Sequence, residues 1–167
     1  PSTWASEQAR ARGLHVITGT LDNTSIPENY FDVVTLWDVV EHLTDPAAEL
    51  RNVHRVLKPD GIFAIHTIDI ESWFARLMGA RWPWLMEMHL VYFDRATLSA
   101  LLEESGFRVL GIGTYTHTVS ADYLLRKAAA SFPALAPLAR ALARVVPGRW
   151  PVPVNLGDNM LVSAERR

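Results

Sequence analysis

The sequence contains no cysteine. That absence removes thiolate nucleophiles, disulfide staples and cysteine-ligated zinc together, and it leaves the redox compartment open. Long apolar runs are missing as well. Arginine or proline interrupts each candidate before the roughly 18–20 residues that a membrane-crossing helix requires. Neither sign of charge dominates: 16 Lys+Arg stand against 18 Asp+Glu, a net charge of −2. No general electrostatic footprint for nucleic acid results, and no nucleic-acid partner is expected. The chain opens on Pro1, and PSTWASEQARARG has neither the basic start and apolar core of a secretory signal nor the acid-poor look of a transit peptide. The expectation is a chain that begins inside a longer protein, with the cytoplasm as its default location.

What is present predicts one globular domain: 167 residues, 49% of them apolar and 20% charged. Charge is distributed unevenly. Residues 1–122 carry net −7, whereas residues 123–167 hold seven bases against two acids. Ser6 to Arg12 reads as the tail of a helix stopped by Gly13, followed by a strand at His15–Thr18. The run Phe31–Trp37 is almost continuously apolar or β-branched, which suits a parallel strand buried on both faces. Asp45-Pro46 opens a helix with Leu50, Val53, His54 and Leu57 at helical spacing, and Lys58-Pro59-Asp60-Gly61 closes it with a turn. Ile62–Thr67 is a further strand, so strand, helix and strand alternate as in βαβ units and the class is α/β. After an aromatic stretch from Trp73 to Phe93, Asp94/Arg95 starts a helix ended by Gly106. Phe107–Tyr115 and Asn159–Ala164 return as strands.

The segment from Ala128 to Val154 is Ala- and Pro-rich and holds no acid. Leu135, Leu138, Leu142 and Val145 recur at spacings of three and four, the pattern of a short amphipathic helix between prolines. Its bases, with Arg126 and Lys127 just before it, suit a lid, an oligomer contact or a weak contact with an anionic membrane surface. The expected organisation is a core over residues 1–122, a helical basic lid over 123–157 and a last strand over 158–167.

Taken in order, several motifs resemble those of class I S-adenosylmethionine-dependent methyltransferases of the ubiquinone/menaquinone-biosynthesis-like group. They are Gly19-Thr-Leu-Asp22, Ile26-Pro-Glu-Asn-Tyr-Phe-Asp-Val-Val34, Trp37-Asp-Val-Val-Glu-His-Leu43 with Asp45-Pro46, Arg55-Val-Leu-Lys-Pro-Asp-Gly61, Glu87-Met-His-Leu90 and Leu101-Leu-Glu-Glu-Ser-Gly-Phe-Arg108. The resemblance implies a Rossmann-like sheet of order 3-2-1-4-5-7-6 with an antiparallel last strand. Five of its strands would be His15–Thr18, Phe31–Trp37, Ile62–Thr67, Arg108–Tyr115 and Asn159–Ala164. The first two strands, and the Gly-rich cofactor loop after strand one, are missing from the sequence on this reading. Gly111-Ile-Gly113 does not replace that loop, because it falls inside a predicted strand.

Open α/β sheets bind ligands beyond the carboxyl ends of their strands. The resemblance therefore implies that Thr20, Leu21, Trp37, Asp38 and His42 line S-adenosylmethionine, Thr20 standing where the family usually has an Asp. On the residues alone, Asp38 also suits the cap of a helix starting at Val39, with Glu41 and His42 following on one face. A metal cluster there is the less favoured alternative, and no metal ligand is assigned. His89, in the aromatic segment, is placed as the catalytic base toward an acceptor, with Tyr92 as an acceptor-binding residue; a histidine bonded to backbone is its structural alternative. His15, His54, His66 and His117 are expected to be core or surface residues. The implied function is methyl transfer from S-adenosylmethionine to a small-molecule acceptor, through oxygen in preference to carbon or nitrogen. The alternative is a non-catalytic Rossmann-like interaction module whose basic lid binds a partner.

Overall fold

The computed structural model describes residues 2–23, 25–131, 134 and 136–167. Helix α1 (Thr3–Ala11) starts at Ser2, whose hydroxyl accepts from the Ala5 amide, and the helix tail expected from Ser6 forms its C-terminal part. Gly13 follows it at φ 81°, a left-handed position that suits a residue without Cβ. The strand expected at His15–Thr18 does not form. A strand is defined by its neighbour, and among the described residues no ladder includes this segment. Arg10 ties it to α1 instead, donating to the Val16 carbonyl (3.0 Å) and the Thr18 hydroxyl (2.7 Å).

Strand β1 (Phe31–Trp37) runs parallel to β2 (Leu57–Ile68), joined through helix α2 (Pro46–Val56). Asp45 caps α2 by accepting from the Ala48 amide at 2.9 Å, and Pro46 occupies its first turn, where a missing N–H costs nothing. The turn expected at Lys58–Gly61 is instead a bulge within β2. Phe31 faces Leu57, but Val33 already faces Ile62, and Asp60 takes φ 60°. Helix α3 (Trp73–Met78) follows in the aromatic segment. Helix α4 (Arg95–Glu104) begins at a capping box in which Asp94 and Thr97 exchange side-chain and backbone bonds. Strand β3 (Phe107–Thr114) then pairs antiparallel with the last strand of the sheet.

The large sheet has the spatial order β1, β2, last strand, β3, with the last strand antiparallel to both neighbours. This is the 4-5-7-6 part of the expected sheet. Its core lies on one face, where Val34 and Leu36 of β1 and Phe63 and Ile65 of β2 meet Leu50 and Val53 of α2 and Leu98 and Leu102 of α4. By the alternation of a pleated strand, Trp37 and its register partner His66 point to the other face.

Between β3 and the last strand, the chain forms a two-stranded ribbon of β4 (His117–Ser120) and β5 (Pro151–Val154), which brackets helices α5 (Ala121–Ser131) and α6 (Ala136–Leu142). The last strand is β6 (Asn159–Arg166). The predicted apolar stripe is not the buried face of α6. Ala136 and Ala139 are buried, while Leu138 is 58% exposed, Leu142 and Val145 are also exposed, and Leu135 lies outside the described residues. Small side chains permit the close approach of α6 to α5, which leaves the leucines in solvent. Among the described residues no helix is long and apolar enough to cross a membrane.

Candidate functional site

The parallel register sets Trp37 beside His66 at the carboxyl ends of β1 and β2. Their rings stack with centroids 4.8 Å apart and planes 11° from parallel. Tyr115, just beyond β3, meets Trp37 edge-on at 5.3 Å and His66 at 4.7 Å, and His117 completes the cluster 5.4 Å from His66. His66 is fully buried beneath these rings, whereas the indole of Trp37 keeps 46% of its residue surface open.

Asp38 does not cap a helix. Its backbone N–H donates to the His66 carbonyl at 3.1 Å, and its carboxylate accepts from His66 Nδ1 at 2.8 Å. These two bonds hold it at φ 51°, a left-handed conformation uncommon for a non-glycine residue. The helix expected from Val39 is only a 3-10 turn over Val40–His42. With Nδ1 donating to Asp38, Nε2 of His66 is buried without a partner, and so is Nε2 of His117.

A second group lies on the next turn. Glu41 is buried, its carboxylate accepting from the Thr67 hydroxyl at 2.8 Å and its backbone carbonyl from the amides of Leu90 and Val91. The aromatic segment is thereby pinned to the turn after β1. His42 Nδ1 donates to the Met88 carbonyl and His89 Nδ1 to the Trp84 carbonyl, both at 2.8 Å, and the two rings meet at 4.8 Å. In the neutral rings these bonds leave each Nε2 as the free lone pair. One donor atom each from Glu41, His42 and His89 lies within 4.8 Å of the other two. Two imidazoles and a carboxylate on this spacing can share a proton or hold a divalent ion.

The remaining sequence-derived candidates take the following places. Tyr92 lies 5.9 Å from His89 ring to ring, but its hydroxyl is bonded to Trp84 and Met86 backbone groups. Thr20 is exposed, and Leu21 begins a 3-10 turn over Leu21–Asn23 while packing on the main core. Arg55 of α2 holds that segment by donating to the carbonyls of Leu21 and Ile26. The sequence reading placed His66 and His117 only as core or surface residues, and named Glu41 only with the less favoured metal alternative. For His66 a signal existed, since two parallel strands place their carboxyl ends side by side. The bulge at Lys58–Gly61 hides which residue of β2 stands next to Trp37.

Whether these residues suit S-adenosylmethionine is tested by their chemistry. An indole that is nearly half exposed and a half-exposed carboxylate adjoin one another at the end of β1. Both attract cations, the former through its quadrupole and the latter by charge, so they fit a ligand bearing an ammonium and a sulfonium group.

A family profile described as a methyltransferase domain matches residues 1–112. A protein of Mycolicibacterium smegmatis named "probable S-adenosylmethionine-dependent methyltransferase" is 32% identical over 108 residues, covering 65% of this chain and 40% of that protein. A demethylmenaquinone methyltransferase of Geobacillus stearothermophilus is 27% identical over 145 residues, covering 71% and 60%. The chain thus spans about half the length of these relatives. Among solved structures, a methyltransferase of Thermotoga maritima described as S-adenosylmethionine-dependent superposes with a TM-score of 0.65 at 19% identity, covering 100% of this chain and 71% of that one. That likeness concerns the fold. With a profile matching more than half of its length, the chain belongs to the family of methyltransferase domains.

Proposed function

We propose that the protein carrying this chain transfers a methyl group from S-adenosylmethionine to an oxygen of a small-molecule acceptor. The observation that supports this reading most strongly is the pairing of Trp37 and Asp38 at the carboxyl end of β1, both open to solvent and both suited to a cationic ligand. The cofactor supplies an electrophilic methyl carbon already activated by sulfonium charge, so orientation of the acceptor contributes most of the rate. Thr20 and Leu21 serve its adenine end, and His42 its carboxylate, to which only the imidazolium form can donate through Nε2.

His89 takes the proton of the acceptor hydroxyl as the oxygen attacks, and its bond to the Trp84 carbonyl holds Nε2 as the accepting nitrogen. Tyr92 shapes the acceptor side through its ring. Helices α5 and α6 form a basic lid over this end of the sheet. The similarity to a demethylmenaquinone methyltransferase supports a small acceptor with an aromatic or extended apolar skeleton.

The test is transfer of labelled methyl from S-adenosylmethionine to a panel of phenols, catechols and hydroxyquinones. The expected result is label on oxygen, lost with His89→Ala at unchanged cofactor affinity. No transfer to any acceptor, with S-adenosylhomocysteine unbound, would favour the non-catalytic module instead.

A further inference from the structure

Beyond the strand ends lies a cavity of about 970 Å³ between the aromatic segment and the α5 insertion. Its walls are mostly apolar, with Phe74, Met78 and Trp84 on one side and Val119, Leu124 and Ala128 on the other. A space of this size suits a ligand with a bulky carbon skeleton.

Its polar groups are few, and they are not balanced among themselves. Asp158 is the single acid among the described lining residues, and it is already satisfied: it is buried and accepts from the indole N–H groups of Trp82 (3.1 Å) and Trp84 (3.0 Å) and from the Asn159 amide (3.1 Å). Arg81 and Lys127 stand exposed at the rim on opposite walls, and among the described residues neither has an acid within ion-pair distance. His117 lines the same cavity, and its Nε2 is buried with no partner. Two unmatched cations at the mouth and an orphan imidazole nitrogen in the wall ask for a ligand with an anionic group and a second polar atom. His117 also touches His66 and Tyr115, which meet Trp37, so the cavity adjoins the strand-end cluster.

We propose that this cavity is the acceptor site and that it takes a bulky, largely apolar molecule carrying an acidic group. The hydrocarbon lies against Trp84, Met78 and Leu124, the acid lies at the rim between Arg81 and Lys127, and a hydroxyl or carbonyl lies beside the His117 ring, which turns to present Nε2. As an acceptor site the cavity rests on the methyltransferase reading. As a binding site for amphipathic acids it does not, and the two are tested separately.

The experiment is a fluorescence titration of the protein with anilinonaphthalene sulfonate and, in parallel, with neutral phenylnaphthylamine, which lacks only the acid. One saturable site is expected, with the sulfonate bound more tightly. Arg81→Gln with Lys127→Gln weakens the sulfonate by about three- to tenfold, the scale of two exposed ion pairs, and leaves the neutral probe unchanged. Ala128→Trp, or Met78→Trp from the facing wall, removes both probes by filling the space. Arg140→Gln with Arg144→Gln, outside the cavity, changes neither.

Unsaturable binding, equal loss in the Arg140/Arg144 variant, unchanged binding when a wall is filled, or binding to anionic vesicles alone would overturn the proposal. S-adenosylhomocysteine titrated into the same samples reads the cofactor site independently. Loss of probe with retained cofactor binding, or the reverse, shows which of the two readings fails.

Discussion

Asp38 combines a left-handed backbone with a side chain proposed to meet the cofactor, and the two properties respond differently to substitution. At φ 51° an alanine carries the same steric cost as the aspartate without the bonds to His66 that offset it, whereas glycine carries no such cost. Asp38→Gly is therefore expected to be more stable than Asp38→Ala by about 1 kcal/mol in urea unfolding, while both lose cofactor affinity. Equal stabilities would mean that the left-handed backbone carries no strain.

His54 makes a separate, pH-dependent contribution. Burial, then the charge of Arg166, hold its imidazole below the usual value near 6.5, against a smaller opposing effect of a backbone bond with Arg167. As pH falls through that usual value, the unfolded chain takes up a proton that the folded one refuses. Stability is thus retained above about pH 6.5 and declines below it until the folded imidazole also titrates. Replacing His54 by Gln should flatten the urea midpoint between about pH 7.5 and 5. A slope identical to that of the unsubstituted protein would contradict the assignment.

Elements whose signals are local were legible. Asp45-Pro46 and Asp94 with Thr97 mark helix starts because capping needs only residues within one turn, and β1 is found on its predicted residues, though as an edge strand it is not buried on both faces as expected. Elements defined by neighbours were not. His15–Thr18 has the composition of a strand but pairs with nothing among the described residues, and α6 buries its alanines although its leucines carry the apolar spacing. The site followed the same division. Trp37, Asp38, His42 and His89 could be singled out along the chain, whereas the bond from Asp38 to His66 depends on a register that a bulge obscures.

Asp158 illustrates the consequence of such long-range bonds. It lies far along the chain from Trp82 and Trp84, yet its carboxylate fixes both indoles and with them one wall of the cavity. Asp158→Ala leaves two indole N–H groups without an acceptor, which should cost about 2–4 kcal/mol. Tryptophan emission should shift to the red as the segment loosens. An unchanged spectrum and midpoint would show that the aromatic segment is held by packing alone.

At the scale of the whole molecule, a main core on one face of the sheet and a smaller cluster of Ile68, Ala75 and Trp82 support a sheet whose carboxyl end holds the candidate site. β1 and β3 are edge strands among the described residues, and Val33 on β1 remains more than half exposed. An open, partly apolar edge of this kind is suited to further strand pairing. The charge pattern is equally uneven, since the acidic bulk of the sequence precedes Tyr123, while Lys127 of the insertion stands with Arg81 at the cavity. The proposed donor and acceptor sites would adjoin where Trp37, His66, Tyr115 and His117 touch.

Cofactor binding at the end of β1 is the central claim, and calorimetric titration of S-adenosylhomocysteine into the full-length protein tests it most directly. Binding at one site in roughly the micromolar range is expected, weakened about tenfold by Trp37→Ala, the scale of a lost aromatic contact with a cation, and unaffected by Arg140→Gln. A well-folded protein that takes up no ligand, or one whose affinity ignores Trp37, would contradict the account.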